Sequence, residues 1–159
     1  MNIEIVCVGK IKEKYLEDAI KEYSKRLSRY VKLKITEQKD EKTIDGQSAA
    51  LDLKVKETEG ARIISALKDD AVKIVLDLNG RELSSPEFAS RIQDYMVSGK
   101  GTIQFIIGGS LGLSSEVIKR ADFLLKFGEM TYPHQLMRVM LLEQIYRAFR
   151  IMNNEPYHK

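Results

Sequence analysis

The sequence predicts an α/β protein with a largely parallel sheet and helices on both faces, in one domain spanning residues 1–159. Three observations predict it. Short apolar runs alternate with stretches of helical period along the chain. The run over residues 103–107, apolar except for Gln104, reads in the manner of a strand covered on both faces. No repeat, low-complexity tract or Pro/Gly-rich linker divides the chain.

Taken in order, residues 3–8 read as a first strand closed by Gly9. Over residues 12–30, Leu16, Ile20, Tyr23 and Leu27 recur at helical spacing. Val31, Leu33 and Ile35 alternate with Lys32, Lys34 and Thr36, the pattern of a half-exposed strand. A polar stretch over 37–46 precedes a helical pattern at 47–68, in which Gly60 is an unfavourable helix residue. Residues 72–78 predict a strand ending in the turn dipeptide Asn79-Gly80. Ser84-Ser85-Pro86-Glu87 is a helix start, with Ser at the cap, Pro in the first turn and Glu placed to reach back. That helix stops at Gly99. After the strand at 103–107 comes Gly108-Gly109-Ser110-Leu111-Gly112, and then Ser114 as the cap of a short helix to Arg120. Residues 123–127 form a last strand, and Pro133 opens a long helix ending near Met152.

Composition sets bounds. Hydrophobic residues at 43% and charged residues at 31% suit a globular domain that closes its own core. Glu4 falls where a secretory leader needs an apolar run, and no stretch has the length of a membrane span. Cys7 is the only cysteine, which excludes an intrachain disulfide and suits a reducing, cytoplasmic setting. The net charge of +3 is too mild to announce nucleic acid, although residues 10–34 hold 9 basic and 4 acidic side chains. No Ser-His-Asp set, Cys-His set or metal-ligand cluster emerges.

Parallel α/β sheets place ligands beyond the carboxyl ends of their strands. Three loops qualify, after Leu78, after Ile107 and after Phe127. The glycines at 108–112 allow close backbone approach, yet fit neither the dinucleotide nor the P-loop fingerprint. The segment Phe127-Gly128-Glu129-Met130-Thr131-Tyr132-Pro133-His134 offers apolar faces and main-chain hydrogen bonds suited to a flat base. The terminal helix is apolar around much of its circumference, which points to a second copy of the chain on its outer face. On its first turns His134 and Arg138 are four apart, a polar helix end or a nucleic-acid contact with Arg138 on a phosphate. Glu143 and Arg147 are spaced to pair. The closing Tyr157-His158-Lys159 is either a frayed end or an anchor for a single-stranded base.

Together, Val6-Cys7-Val8-Gly9-Lys10, Ile107-Gly108-Gly109, Thr131-Tyr132-Pro133-His134 with Arg138-Val139, and the final Pro156-Tyr157-His158-Lys159 stand in a specific order and spacing. That arrangement resembles the ribosomal RNA large-subunit methyltransferase H family, minimal members of the SPOUT (α/β-knot) methyltransferases. The resemblance covers essentially the whole chain and is weakest over residues 44–53. It implies a Rossmann-like sheet with a C-terminal trefoil knot, and a homodimer joined through the C-terminal helix. It also implies S-adenosylmethionine as cofactor, with N3 of a pseudouridine in a 23S rRNA stem-loop methylated on the assembled 70S ribosome. The cofactor contacts carried over are Leu76, Gly108, Phe127, Gly128, Glu129, Met130, Thr131 and Tyr132. Those to the substrate are Arg138, Tyr157, His158 and Lys159. His134 and His158 are conceivable bases, and the resemblance does not choose between them. Two alternatives stay open: a transfer-RNA methyltransferase of the same class, and a non-catalytic ribosome- or RNA-binding factor.

Overall fold

The computed structural model describes residues 1–159. Five strands form one sheet: β1 (Asn2–Val8), β2 (Lys32–Gln38), β3 (Val72–Glu82), β4 (Thr102–Ile107) and β5 (Phe123–Lys126). Their order is β2-β1-β4-β3-β5, and every neighbouring pair is parallel. Five helices connect them: α1 (Lys14–Leu27), α2 (Ala49–Ser65), α3 (Ser85–Val97), α4 (Ser115–Ile118) and α5 (His134–Met152).

The period of two along the central strands divides the core between two faces. Ile3, Ile5 and Cys7 of β1 join Ile103, Phe105 and Ile107 of β4 in the larger cluster, under α1, α3 and α5. Val6, Val8, Val75 and Ile106 point the other way, against Ile63 of α2 and Val117 of α4. On that second face Gln104 is fully buried and satisfied: it donates to Glu4 at 2.9 Å and to the Ala66 carbonyl at 3.0 Å, and accepts from the Lys68 amide at 2.9 Å. Helix α5 packs on both α1 and α3. Its Leu141, Leu142 and Ile145 are fully buried, each contributing roughly 1.5–3 kcal/mol.

The expected start of α3 is present in full. The Ser84 hydroxyl accepts from the Glu87 amide at 3.3 Å, and the Glu87 carboxylate accepts from the Ser84 amide at 2.7 Å. Ser114 caps α4 as expected. Helix α2 runs unbroken through Gly60, and the space a side chain there would take is filled: a Cβ would lie 2.3 Å from the Ser114 hydroxyl oxygen.

One expectation is corrected. Asn79-Gly80 does not end the third strand as a turn; β3 continues to Glu82 through an irregularity between Leu76 and Arg81. Asp77 accepts from the Asn79 amide at 2.8 Å and holds the bulge. Gly80 then passes so close to β5 that a Cβ would stand 2.7 Å from the Leu125 carbonyl carbon and 2.8 Å from that of Leu124. The glycine serves close strand approach, a use of the residue that its turn propensity hides.

Candidate active site

Strand register brings the nominated loops to one level. Val75 pairs with Ile106 and Leu76 with Leu125, so Leu76, Gly108 and Phe127 stand within two residues of a common level on the adjacent strands β4, β3 and β5. The site lies at the carboxyl edge of a parallel sheet, where ligand crevices form.

The loop after β4 is shaped by its glycines. A side chain at Gly108 would collide with Leu113, its Cβ 2.9 Å from Cγ, and with the Gly112 carbonyl carbon at 3.0 Å. Gly112 has φ +86°, in the left-handed region, and its amide closes the turn on the Gly109 carbonyl at 3.1 Å. Gly109 and Gly112 face each other as an antiparallel bridge, while the amides of Ser110 and Leu111 donate to no backbone carbonyl, which leaves two consecutive N–H groups for a ligand.

The loop after β5 presents a different chemistry. Gly128 has φ +119°, a conformation L side chains rarely adopt. Phe127 and Tyr132 are half-buried, whereas Met130 is 74% exposed beside the exposed Thr131. The Glu129 carboxylate meets Lys126 Nζ at 2.5 Å, and the ion pair holds it below the usual carboxylate range. An exposed methionine between half-buried aromatics is an apolar surface without a cover in the single chain.

Two cavities flank these loops. One of about 580 Å³ runs from Phe127 and Gly128 past Ser85 and Phe88 to Met140, Glu143 and Tyr23. The other, of about 500 Å³, is polar and lies among Gly9, Lys10, the 40–44 segment, Glu59, Gly109–Ser110 and His134. Leu76, Gly108 and residues 129–132 line neither.

His134 opens α5 at the rim of the polar cavity and is half-buried. Burial, and secondarily the nearby Arg138 cation, push its pKa below the ordinary histidine value, so the ring is neutral at neutral pH. His158 is exposed, its Nδ1 3.4 Å from Arg147 Nη1. Arg147 lies thirteen residues beyond His134 on the helix, about 20 Å along its axis. Within one chain the two histidines are therefore far apart.

Arg138 departs from the expectation of a phosphate contact. It is 1% exposed, and its Nη2 donates to the carbonyl oxygens of Val8 at 2.7 Å and Gly9 at 2.8 Å. Nη1 faces Glu37 at 3.8 Å. The guanidinium ties the first turn of α5 to the end of β1 and offers nothing to solvent. Helical spacing from His134 gave no sign of this, since the partner carbonyls belong to a strand 130 residues away.

The closing residues are docked on α5. Tyr157 packs edge-on against Tyr146 with ring centroids 5.0 Å apart, and its hydroxyl donates to Glu143 at 3.1 Å. Burial and the Glu143 carboxylate push the phenol up to about 12. Arg147 stacks over the Tyr157 ring at 4.7 Å and pairs with Glu143, the i,i+4 partner expected for it. His158 and Lys159 remain exposed. The apolar residues on the outer side of α5, among them Leu136, Val139 and Met140, are only half-buried.

The sequence reading missed Glu59. It is 4% exposed in the middle of α2, lines the polar cavity and lies behind Gly109. The available signal was the adjacent Gly60: a glycine inside a helix marks close packing, here against the loop that leaves β4.

Comparison with known proteins agrees with this architecture. Residues 1–158 match the family model described as predicted SPOUT methyltransferase. The chain is 60% identical over its full 159 residues to ribosomal RNA large subunit methyltransferase H 1 of Clostridium perfringens strain SM101, covering all of that protein. It is 58% identical, again over the whole of both chains, to ribosomal RNA large subunit methyltransferase H of Clostridium tetani. Among solved structures, a methylase family protein from Haemophilus influenzae Rd KW20 aligns with TM-score 0.53 at 18% identity over 96% of this chain. A Legionella pneumophila methyltransferase, solved with its cofactor SAM bound, aligns with TM-score 0.51 at 16% identity over 94%. The chain spans 66% of the length of each of those two, and the likeness shows the shared fold. With the family model matched from end to end and full-length relatives at this identity, the chain belongs to the SPOUT methyltransferases, in the ribosomal RNA large subunit methyltransferase H family.

Proposed function

We propose that this protein transfers the methyl group of S-adenosylmethionine to N3 of a pseudouridine in 23S rRNA, acting in the cytoplasm on the assembled 70S ribosome. The observation that carries the reading is the convergence of Leu76, Gly108 and Phe127 at one level of the sheet edge. The residues there fit a nucleoside cofactor. Gly108 and Gly128 leave backbone bare of side chains, Phe127, Met130 and Tyr132 supply apolar faces, and Thr131 and the loop amides supply polar contacts. When bound there, S-adenosylmethionine supplies an electrophilic methyl on a sulfonium. The protein's task is then to hold the acceptor nitrogen in line and to remove its proton. Alignment alone supplies several orders of magnitude in favourable cases.

The half-buried outer side of α5 and the uncovered Met130 favour a homodimer joined through α5. In that arrangement the tail of one copy, Tyr157 to Lys159, closes over the cofactor loops of the other and contributes substrate contacts. The same reading takes residues 127–133, which lead from the edge strand β5 back to a helix packed on α1 and α3, as the threaded part of a trefoil knot. A dimer of this size, with net charge only +3 per chain, has little surface with which to select one nucleotide in naked RNA. A composite ribosomal surface supplies the missing selectivity.

The test is transfer of a labelled methyl group to ribosomes from cells lacking the protein, with intact ribosomes, separated subunits and transfer RNA in parallel. Label on N3 of a large-subunit pseudouridine, strongest with intact ribosomes, is the expected result. Label on transfer RNA alone overturns the substrate, and cofactor binding without transfer to any RNA identifies a non-catalytic factor.

A further inference from the structure

The polar cavity holds a carboxylate that nothing above employs. Glu59 Oε1 accepts from the Glu41 amide at 3.0 Å. Its Oε2 is buried and has no hydrogen-bond partner at all. That oxygen lies 2.9 Å from where a Cβ on Gly109 would stand, so the carboxylate rests directly behind the loop whose Gly108 belongs to the cofactor site. An unpaired buried carboxylate oxygen is costly, and its retention needs a reason.

The surroundings supply one. The edge of a uracil-type ring presents two carbonyl oxygens on either side of one N–H, an acceptor–donor–acceptor pattern. Its complement is one acceptor between donors. In this cavity Glu59 is a buried acceptor, and donors belong to the same lining: the Ser110 amide, which donates to no backbone carbonyl, and Lys10, Lys12 and Lys42. One wall of the cavity is the segment over residues 40–44. Residues 42–44 are exposed, and the segment is held to α2 by the Glu41–Glu59 bond and by Arg62, which donates to the Lys39 carbonyl at 2.8 Å and pairs with Glu41.

Resting on the methyltransferase reading above, we propose that this cavity receives the extruded pyrimidine of the substrate and that Glu59 accepts the hydrogen of the ring nitrogen to be methylated. In the step, the N–H bond breaks and its proton passes to Glu59 Oε2. The nitrogen lone pair forms the new N–C bond as the S–C bond of the sulfonium breaks, and the sulfur keeps that electron pair as a neutral thioether. Glu59 then releases the proton to solvent. A cytosine, whose N3 carries no hydrogen, meets the carboxylate lone pair to lone pair and is refused. Burial raises the affinity of Glu59 for a proton above that of an ordinary carboxylate, which suits an acceptor. Asp40 and Glu41 act in the same direction, Arg62 opposes them, and His134 with the three lysines completes the charged and titratable groups around the cavity.

The experiment compares the unsubstituted protein with Glu59→Gln, which keeps Oε1 for the Glu41 amide but cannot take the proton. Single-turnover methyl transfer to ribosomes is followed across pH, with cofactor affinity measured by calorimetry and ribosome binding by co-sedimentation. Expected is a rate lower by about 10²–10³-fold near neutrality, with both affinities unchanged. The deficit should shrink as pH rises towards the ring's own ionisation, because the substrate then sheds its proton unaided. A variant within about threefold of the unsubstituted rate, or one slowed equally at every pH, overturns the role of Glu59 and leaves the methyltransferase reading standing. Absence of transfer by the unsubstituted protein overturns both.

Discussion

Arg138 of α5 reaches the carbonyl oxygen of Gly9 at 2.8 Å, and the same nitrogen reaches Val8 at 2.7 Å, so one buried guanidinium joins the chain's last helix to the end of its first strand. The contact sets the position of His134 one turn earlier, at the rim of the polar cavity. Replacing Arg138 with alanine leaves two carbonyl oxygens buried without a donor and opens a void. The expected loss is about 3 kcal/mol, read as a lower urea midpoint. Arg138→Lys, a single ammonium on a shorter chain, recovers only part of it. An unchanged midpoint for the alanine variant would show that the anchor is dispensable.

Gly80 carries the close approach of β3 to β5. Gly80→Ala forces a methyl to within 2.8 Å of two backbone carbonyl carbons, neither of which can rotate away. Destabilisation of about 1–3 kcal/mol is expected, together with weaker cofactor binding, since β5 leads directly into the 127–132 loop. Gly101→Ala, where a Cβ meets nothing within 4 Å, is the control and should change neither quantity appreciably.

His134 has a pH signature. Its folded-state pKa lies below the ordinary value, so between the two values the unfolded chain binds more protons than the native one. Its contribution to stability is thus complete above the unfolded value of about 6.5 and is lost as pH falls through the folded one. Denaturation midpoints should decline as pH falls below about 6.5, and His134→Asn should flatten that slope. A proton NMR titration that placed the His134 midpoint at or above the ordinary histidine value would contradict the assignment.

Removing Tyr157 to Lys159 should abolish methyl transfer while changing cofactor affinity by less than about twofold. In the single chain the tail touches Glu143, Tyr146 and Arg147 and none of the nominated cofactor residues. Wild-type turnover by the truncated protein would show that the tail takes no part in the site.

How far this was legible in the sequence follows from how local each feature is. The Ser84–Glu87 cap and the Glu143–Arg147 pair lie within four residues and were readable directly. The apolar run of β1 and the mostly apolar β4, interrupted by Gln104, announced a covered parallel sheet. Candidate loops after β4 and β5 followed, because strand ends in such sheets define the crevice, whereas the position after Leu78 lies inside β3. Strand order was not legible: only tertiary packing places β5 outside β3 and forces the glycine at 80. The same limit hid Arg138 and Glu59. Both are charged side chains whose burial depends on elements distant in sequence, and helical spacing describes them as solvated polar residues.

The central claim is that the ends of β3, β4 and β5 together hold the methyl donor. The most direct measurement is a backbone amide NMR titration with S-adenosylmethionine. The account predicts shifts concentrated in residues 76–82, 108–112 and 127–134, saturating together with one affinity. Shifts confined to the far end of the larger cavity, around Tyr23, Glu143 and Gln144, with Gly108 to Gly112 unmoved, would contradict it.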